Sequence, residues 1–192
     1  MRLRVLIFLF ALIGIGIGGV FAWKKVFGTT VDRQTELANV VCGTMGAKVK
    51  NTADYRGGST PHTLAVFVQS NEGYSSERIV DTTTHDTTLS DAQRSKAISE
   101  IQLVACVDRD GEQALGRDCD FDGGKSLAVY RPGYHVRVYE PKTHHLVADK
   151  RVEAESADKF RCPTMHFDPG DHKIYLDPDD AALAAVLTPL VR

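Results

Sequence analysis

Asp118, Asp120 and Asp122 stand at alternate positions and are followed by Gly123. That spacing matches positions 1, 3, 5 and 6 of a calcium-binding EF-hand loop, where carboxylates converge on a hard cation and glycine permits the tight turn. The remainder of the loop departs from the pattern. Position 12, which carries a bidentate glutamate in such loops, falls on Val129, and Lys125 stands at position 8 in place of an apolar residue. Cys119 also sits between the first two candidate ligands. An extended strand through the same residues would put all three carboxylates on one solvated face. A solvated acidic edge is therefore the expectation, with Ca2+ at Asp118, Asp120 and Asp122 as the alternative and no other cofactor expected. Asp108, Asp110 and Glu112 would be the nearest supplementary ligands.

Other reactive side chains lack the company their chemistry needs. Cys162 and His166 are four residues apart with His172 nearby, and His144-His145 falls at an expected hairpin tip. Zinc would require free thiolates, and adjacent histidines on a hairpin point to opposite sides, so scattered surface histidines are expected. Ser156-x-x-Lys159 fits the first element of a penicillin-binding active site, but the companion motifs are absent. There is no G-x-S-x-G and no spacing that assembles a triad; an exported hydrolase stays an alternative only in general terms. Tyr130, Tyr134 and Tyr139 lie along one expected strand, where packing is favoured over a ligand platform.

The four cysteines, Cys42, Cys106, Cys119 and Cys162, carry more information. An even count in an exported domain reads as two disulfides rather than reactive thiols, and no C-x-x-C signals redox or zinc chemistry. Three pairings are open. Cys106–Cys119 is favoured because each ends an apparent strand and the polar segment between them reads as one excursion, leaving Cys42–Cys162. In the chain-entropy account, loops of these sizes would contribute about 3 and about 5 kcal/mol.

Export itself is read from the N-terminus. Residues 5–23 form an uncharged run flanked by Arg2 and Arg4 before it and Lys24 and Lys25 after it. Nineteen helical residues span about 28 Å, close to a bilayer's hydrocarbon thickness. Gly14, Gly16 and Gly19 also spell a dinucleotide fingerprint, but no strand–turn–helix pattern surrounds them. As membrane residues, Gly14 and Gly18 make a small-residue face that can support self-association of the anchor. The expected organisation is a leader at 1–4, a transmembrane helix or signal anchor at 5–23, a juxtamembrane linker at 24–31 and an extracytoplasmic domain at 32–192. The N-terminus is expected in the cytoplasm, or the domain is secreted if residues 1–22 are cleaved.

Charge narrows the class further. The chain holds 23 basic and 25 acidic residues; residues 1–25 contribute four basic and no acidic ones, so the rest carries 19 against 25, a net charge of −6. An acidic domain without a lysine or arginine cluster is a poor candidate for nucleic acid or for anionic lipid headgroups. By elimination, a binding or structural role in the cell envelope is expected, with the membrane as one partner and a protein partner unspecified.

The elements that position these residues are coarser. A helix is expected in 28–49, with Leu37, Val40, Val41 and Met45 at helical spacing and Gly46 as its stop. His62–Gln69 reads as a strand with Leu64, Val66 and Val68 on one face. Residues 70–100 read as a polar loop, with Ser90 and Gln93 capping a short helix. Strands follow at 101–107, 125–130 and 134–140, the last two with one long strand bent at Pro132-Gly133 as the alternative, and 145–154 pairs back across Pro141–His144. Asp177 and Pro178 are expected to start a C-terminal helix whose stripe of Leu183, Val186, Leu187 and Leu190 packs on the sheet. The fold class is α+β: an N-terminal transmembrane helix, then a small antiparallel-sheet domain of four or five strands with flanking helices and two disulfides.

Overall fold

The computed structural model describes residues 27–43, 46–57, 62–70, 73–80, 97–164 and 173–191, with the backbone alone for residues 70 and 73–80. The apolar run at 5–23 with Gly14 and Gly18 lies outside the described residues, as do Met45, Ser90, Gln93, His166 and His172. Among the described residues, no helix is long and apolar enough to cross a membrane.

A six-stranded sheet with a helix on each face organises the chain. Its strands are β1 (Leu64–Ser70), β2 (Gly73–Val80), β3 (Leu103–Phe121), β4 (Lys125–Glu140), β5 (His145–Glu153) and β6 (Lys173–Tyr175). The order is β2-β1-β3-β4-β5, with β6 alongside β4. The sheet is mixed rather than antiparallel: β1 runs parallel to β3, and β6 parallel to β4. Parallel pairs tend to be buried on both faces and read as unbroken apolar runs. Both partners do so here. Leu64, Val66, Val68, Leu103, Ala105 and Val107 enter one core cluster, while Ala65, Phe67, Val104 and Cys106 enter the other.

Two strands are missing from the sequence reading, the short β6 and β2, the latter within the segment expected to be loop. Among the described residues β2 pairs only with β1 and forms the sheet edge. An edge strand needs no second partner, and its sequence GYSSERIV lacks the apolar alternation that betrays a buried strand.

The helix α1 (Gln34–Val41) is shorter than its apolar spacing suggests. Glu36 lies in its first turn, where a carboxylate suits the helix dipole, and its Oε2 accepts the Asp32 N–H at 3.2 Å. Leu37, Ala38 and Val41 are buried against the second cluster. Cys42 closes the helix, its N–H donating to the Ala38 carbonyl at 2.7 Å. Gly46 still turns the chain: its φ of 51° is left-handed, and the Ala47 N–H that follows reaches back to the Val40 carbonyl at 3.1 Å.

On the other face lies α2 (Asp180–Val191), with Leu183, Leu187 and Val191 buried and Val186 and Leu190 packed beside them. The stripe is the expected one, but the cap moves from Asp177 to Asp179, whose Oδ1 accepts the Ala182 N–H at 2.9 Å. Residues 177–179 are otherwise engaged. The Asp177 carbonyl accepts the Glu155 N–H at 2.8 Å, and the Asp179 N–H donates to the Glu153 carbonyl at 3.0 Å. The ladder beyond β5 therefore delays the helix by two residues.

Strands β3 and β4 form a hairpin far longer than the body of the sheet, because β1 pairs only with residues 103–107 of β3. The polar stretch after Cys106 continues β3 instead of leaving it. Register shifts fall between Asp110 and Gln113 and between Ala114 and Asp118, with Gly111 and Gly116 at φ 72° and 67°. Each glycine supplies the left-handed residue of a bulge that re-aims the strand without breaking it.

Candidate functional site

The distal half of this hairpin, residues 108–121 and 125–135, forms an arm that runs beyond β1, carries β6 along its edge and packs Cys119, Val129 and Tyr134 into the first core cluster. Two covalent and packing devices hold it. Cys119 is bonded to Cys162, Cα to Cα 5.6 Å, and Arg117 lies 4.9 Å over the Phe160 ring while donating to the Phe160 carbonyl at 3.5 Å. The other bond joins Cys42 to Cys106, Cα to Cα 5.4 Å, tying the end of α1 to the sheet. All four cysteines are thus paired, but the expected partners are exchanged. Cys106 and Cys119 share one extended strand, and thirteen residues at about 3.3 Å per residue place them on the order of 40 Å apart. A disulfide tolerates Cα separations of only about 7 Å, so the favoured Cys106–Cys119 pairing is geometrically closed.

Asp118 and Asp120 are exposed rungs of the ladder, opposite Ala128 and Ser126, and Asp122 sits in the turn beyond Phe121. Alternate strand residues lie about 7 Å apart, whereas ligands of one Ca2+ each approach it to about 2.5 Å. Among the described residues, no three His, Cys, Asp or Glu side chains are placed to hold a metal ion. The supplementary carboxylates are spent elsewhere: Asp108 with Arg137 at 2.5 Å, Asp110 with Arg151 at 3.0 Å, and Glu112 with Lys173.

Glu112 anchors a cluster at the root of the arm that the sequence did not signal. Lys173 and the Tyr175 hydroxyl both donate to it, the latter at 2.8 Å. The Lys173 bond first, then that of Tyr175, hold the Glu112 carboxyl below its ordinary range. The same bond pushes the Lys173 ammonium up. Burial first, then Glu112, push the Tyr175 phenol up. The Arg109 guanidinium lies 4.0 Å over the Tyr175 ring and Lys173 lies 4.7 Å over Tyr130, so two cations rest on two aromatic faces. These residues meet only because β6 pairs with β4 forty-odd positions downstream.

The three tyrosines do not make one platform. Tyr134 is buried and its hydroxyl donates to the Leu176 carbonyl at 2.6 Å. Tyr130 faces Tyr175 with ring centroids 6.0 Å apart, and Tyr139 stacks on His144 at 4.6 Å.

The histidines are dispersed. His135 meets Asp149 at 2.5 Å on the exposed sheet surface, beside the Asp108–Arg137 and Asp110–Arg151 pairs. His144 bonds the Val41 carbonyl, and His62 is buried with its ring against Tyr55 at 4.7 Å. Among the described residues, no histidine nitrogen is bonded to a serine, threonine or cysteine side chain. Ser156 and Lys159 belong to a turn in which the Lys159 N–H donates to the Ser156 carbonyl at 3.0 Å.

That turn borders an open cavity of about 290 Å³ lined by Glu155, Lys159, Asp177, Pro178, Asp179, Asp180 and Ala181. Burial first, then Asp177 and Asp180, raise the Glu155 carboxyl above its ordinary range, with Lys159 opposing. The antiparallel bridge between Ala154 and Pro178 gathers these acids from distant positions.

The arm therefore presents exposed carboxylates on a stapled, twisted hairpin, and the described residues assemble no nucleophile with a base. Comparison with protein-family models, with curated proteins and with solved structures finds no match for this chain.

Proposed function

We propose that this chain is a single-pass, membrane-tethered extracytoplasmic module with a binding role in the cell envelope. Residues 5–23 act as the anchor, with the N-terminus in the cytoplasm and the disulfide-bonded domain outside. The observation that carries this reading is the pairing of all four cysteines within one small domain. Such bonds persist in oxidising compartments and are rare in the cytosol. The apolar run flanked by basic residues supplies the route there.

The partner-facing element is the arm. Asp118 and Asp120 are exposed on it, and the Cys119–Cys162 bond limits the conformational freedom that would be lost on association. Carboxylates there favour a partner with a basic surface, which they would steer and orient. No observation among the described residues favours the calcium or hydrolase alternatives.

The test combines fractionation with thiol chemistry. Full-length protein is expected in the carbonate-resistant membrane pellet, with its domain digested by protease added outside intact cells and no cysteine alkylated without reductant. Recovery in the cytosolic fraction with four alkylated cysteines would overturn the reading. Recovery in the medium, cut after residue 22, would replace the anchor by a cleaved leader.

A further inference from the structure

We infer that the end of the sheet from which the chain leaves toward residue 23 is a second membrane contact, docking the domain on anionic lipid headgroups. This rests on the anchored reading above. Among the described residues, the large hydrophobic side chains that are exposed are Phe27, at 49 %, and Leu146, at 41 %. They come from distant parts of the sequence yet belong to the same end of the fold. Phe27 precedes Gly28 and Thr29. The Thr29 N–H donates to the Lys48 carbonyl at 2.9 Å, and the Lys50 N–H returns to the Thr29 carbonyl at 2.8 Å. Between them, the Val49 N–H donates to the Pro141 carbonyl at 2.8 Å, bringing up the β4–β5 turn. Leu146 follows that turn, opposite Tyr139.

The charges at this end run against those of the domain. Lys48 and Lys50 flank the Phe27 segment, and neither has a carboxylate partner among the described residues. Lys142 in the turn is paired with Asp54 at 2.7 Å, and Glu140, which keeps its charge, accepts the Thr143 hydroxyl at 2.6 Å. Apolar side chains for the acyl boundary beside lysines for the headgroups make a surface that lies on an anionic leaflet.

The occupant follows from where the apolar run ends. Trp23 is four residues before Phe27, too short a spacing to hold this end more than about 14 Å from the bilayer surface. The same arrangement points the arm away. β4 runs sixteen residues from Lys125 at the tip to Glu140 at this end, up to about 50 Å at strand rise.

A reporter at Leu146 tests this, since tethering at residue 23 does not by itself hold a position 123 residues downstream against the lipid. The full chain carrying Trp23→Phe and Leu146→Trp has one indole. It is reconstituted in nanodiscs of phosphatidylcholine with roughly one-third phosphatidylglycerol, containing brominated acyl chains. Quenching of the indole is expected, weaker in phosphatidylcholine alone, with each lysine shifting the docking equilibrium constant by up to about fivefold. Lys48→Glu/Lys50→Glu is expected to abolish it, and the Gln pair to weaken it, with both disulfides retained in every variant. A chain that inserts but shows equal, absent or charge-independent quenching overturns the docking and leaves the anchor standing. A chain that fails to enter the discs overturns both.

Discussion

The imidazole of His144, in the turn between β4 and β5, donates from Nε2 to the carbonyl of Val41 at 3.0 Å, the last residue of α1. One side chain thus supplies the helix with a C-terminal partner from 103 residues away, while its ring stacks on Tyr139 at 4.6 Å. The position is held at φ 58°, and a side chain at Gly46 would meet this ring at about 3 Å. His144→Ala removes both the bond and the stack, and is expected to destabilise the domain by about 1–2 kcal/mol in urea unfolding. An unchanged midpoint would show that the turn and helix are not coupled.

The two disulfides differ in access. Cys42 and Cys106 are buried, whereas Cys162 is exposed. Graded reductant followed by alkylation and mass spectrometry is expected to label Cys119 and Cys162 first, with Cys42 and Cys106 labelled only on unfolding. Loops of 64 and 43 residues each stabilise by about 4 kcal/mol in the chain-entropy account. Loss of the Cys42–Cys106 bond is expected to unfold the body, and loss of Cys119–Cys162 to loosen the arm, which limited proteolysis would separate.

Tyr134 donates its hydroxyl to a buried carbonyl of Leu176. Tyr134→Phe leaves that acceptor without the bond and is expected to cost about 1–3 kcal/mol, read from the thermal midpoint. Tyr130→Phe, on a partly exposed ring, is expected to change it little.

Glu155 gives a pH signature. Its carboxyl is raised chiefly by burial and then by Asp177 and Asp180. The folded state therefore binds this proton more tightly than the unfolded chain, and the contribution to stability is present in acid and lost as pH rises through the raised value. Glu155→Gln is expected to raise the melting temperature at neutral pH and to have no effect near pH 3.5. A stabilisation equal at both pH values would refute the ionic origin.

Asp118 and Asp120 lie on an extended strand, so millimolar Ca2+ is expected to leave the melting temperature unchanged. A rise abolished by Asp120→Ala would restore the cation site.

Local pattern determined the elements with short-range causes. The alternation in Leu64–Val68, the hairpin at Pro141–His144 and the stripe of Leu183 and Leu187 all reappear, because burial imposes a period of two on strands and of 3.6 on helices. The even cysteine count likewise led to two bonds. Partner choice was decided only in three dimensions. Cys106 cannot reach Cys119 because β4 templates the polar residues between them into one strand, and no residue within that stretch announces it. The same holds for β1 lying parallel to β3, for Glu112 meeting Lys173 and Tyr175, and for the acids around Glu155. Each depends on contacts between distant segments, whose energies belong to the assembled sheet and leave no periodic trace in the chain.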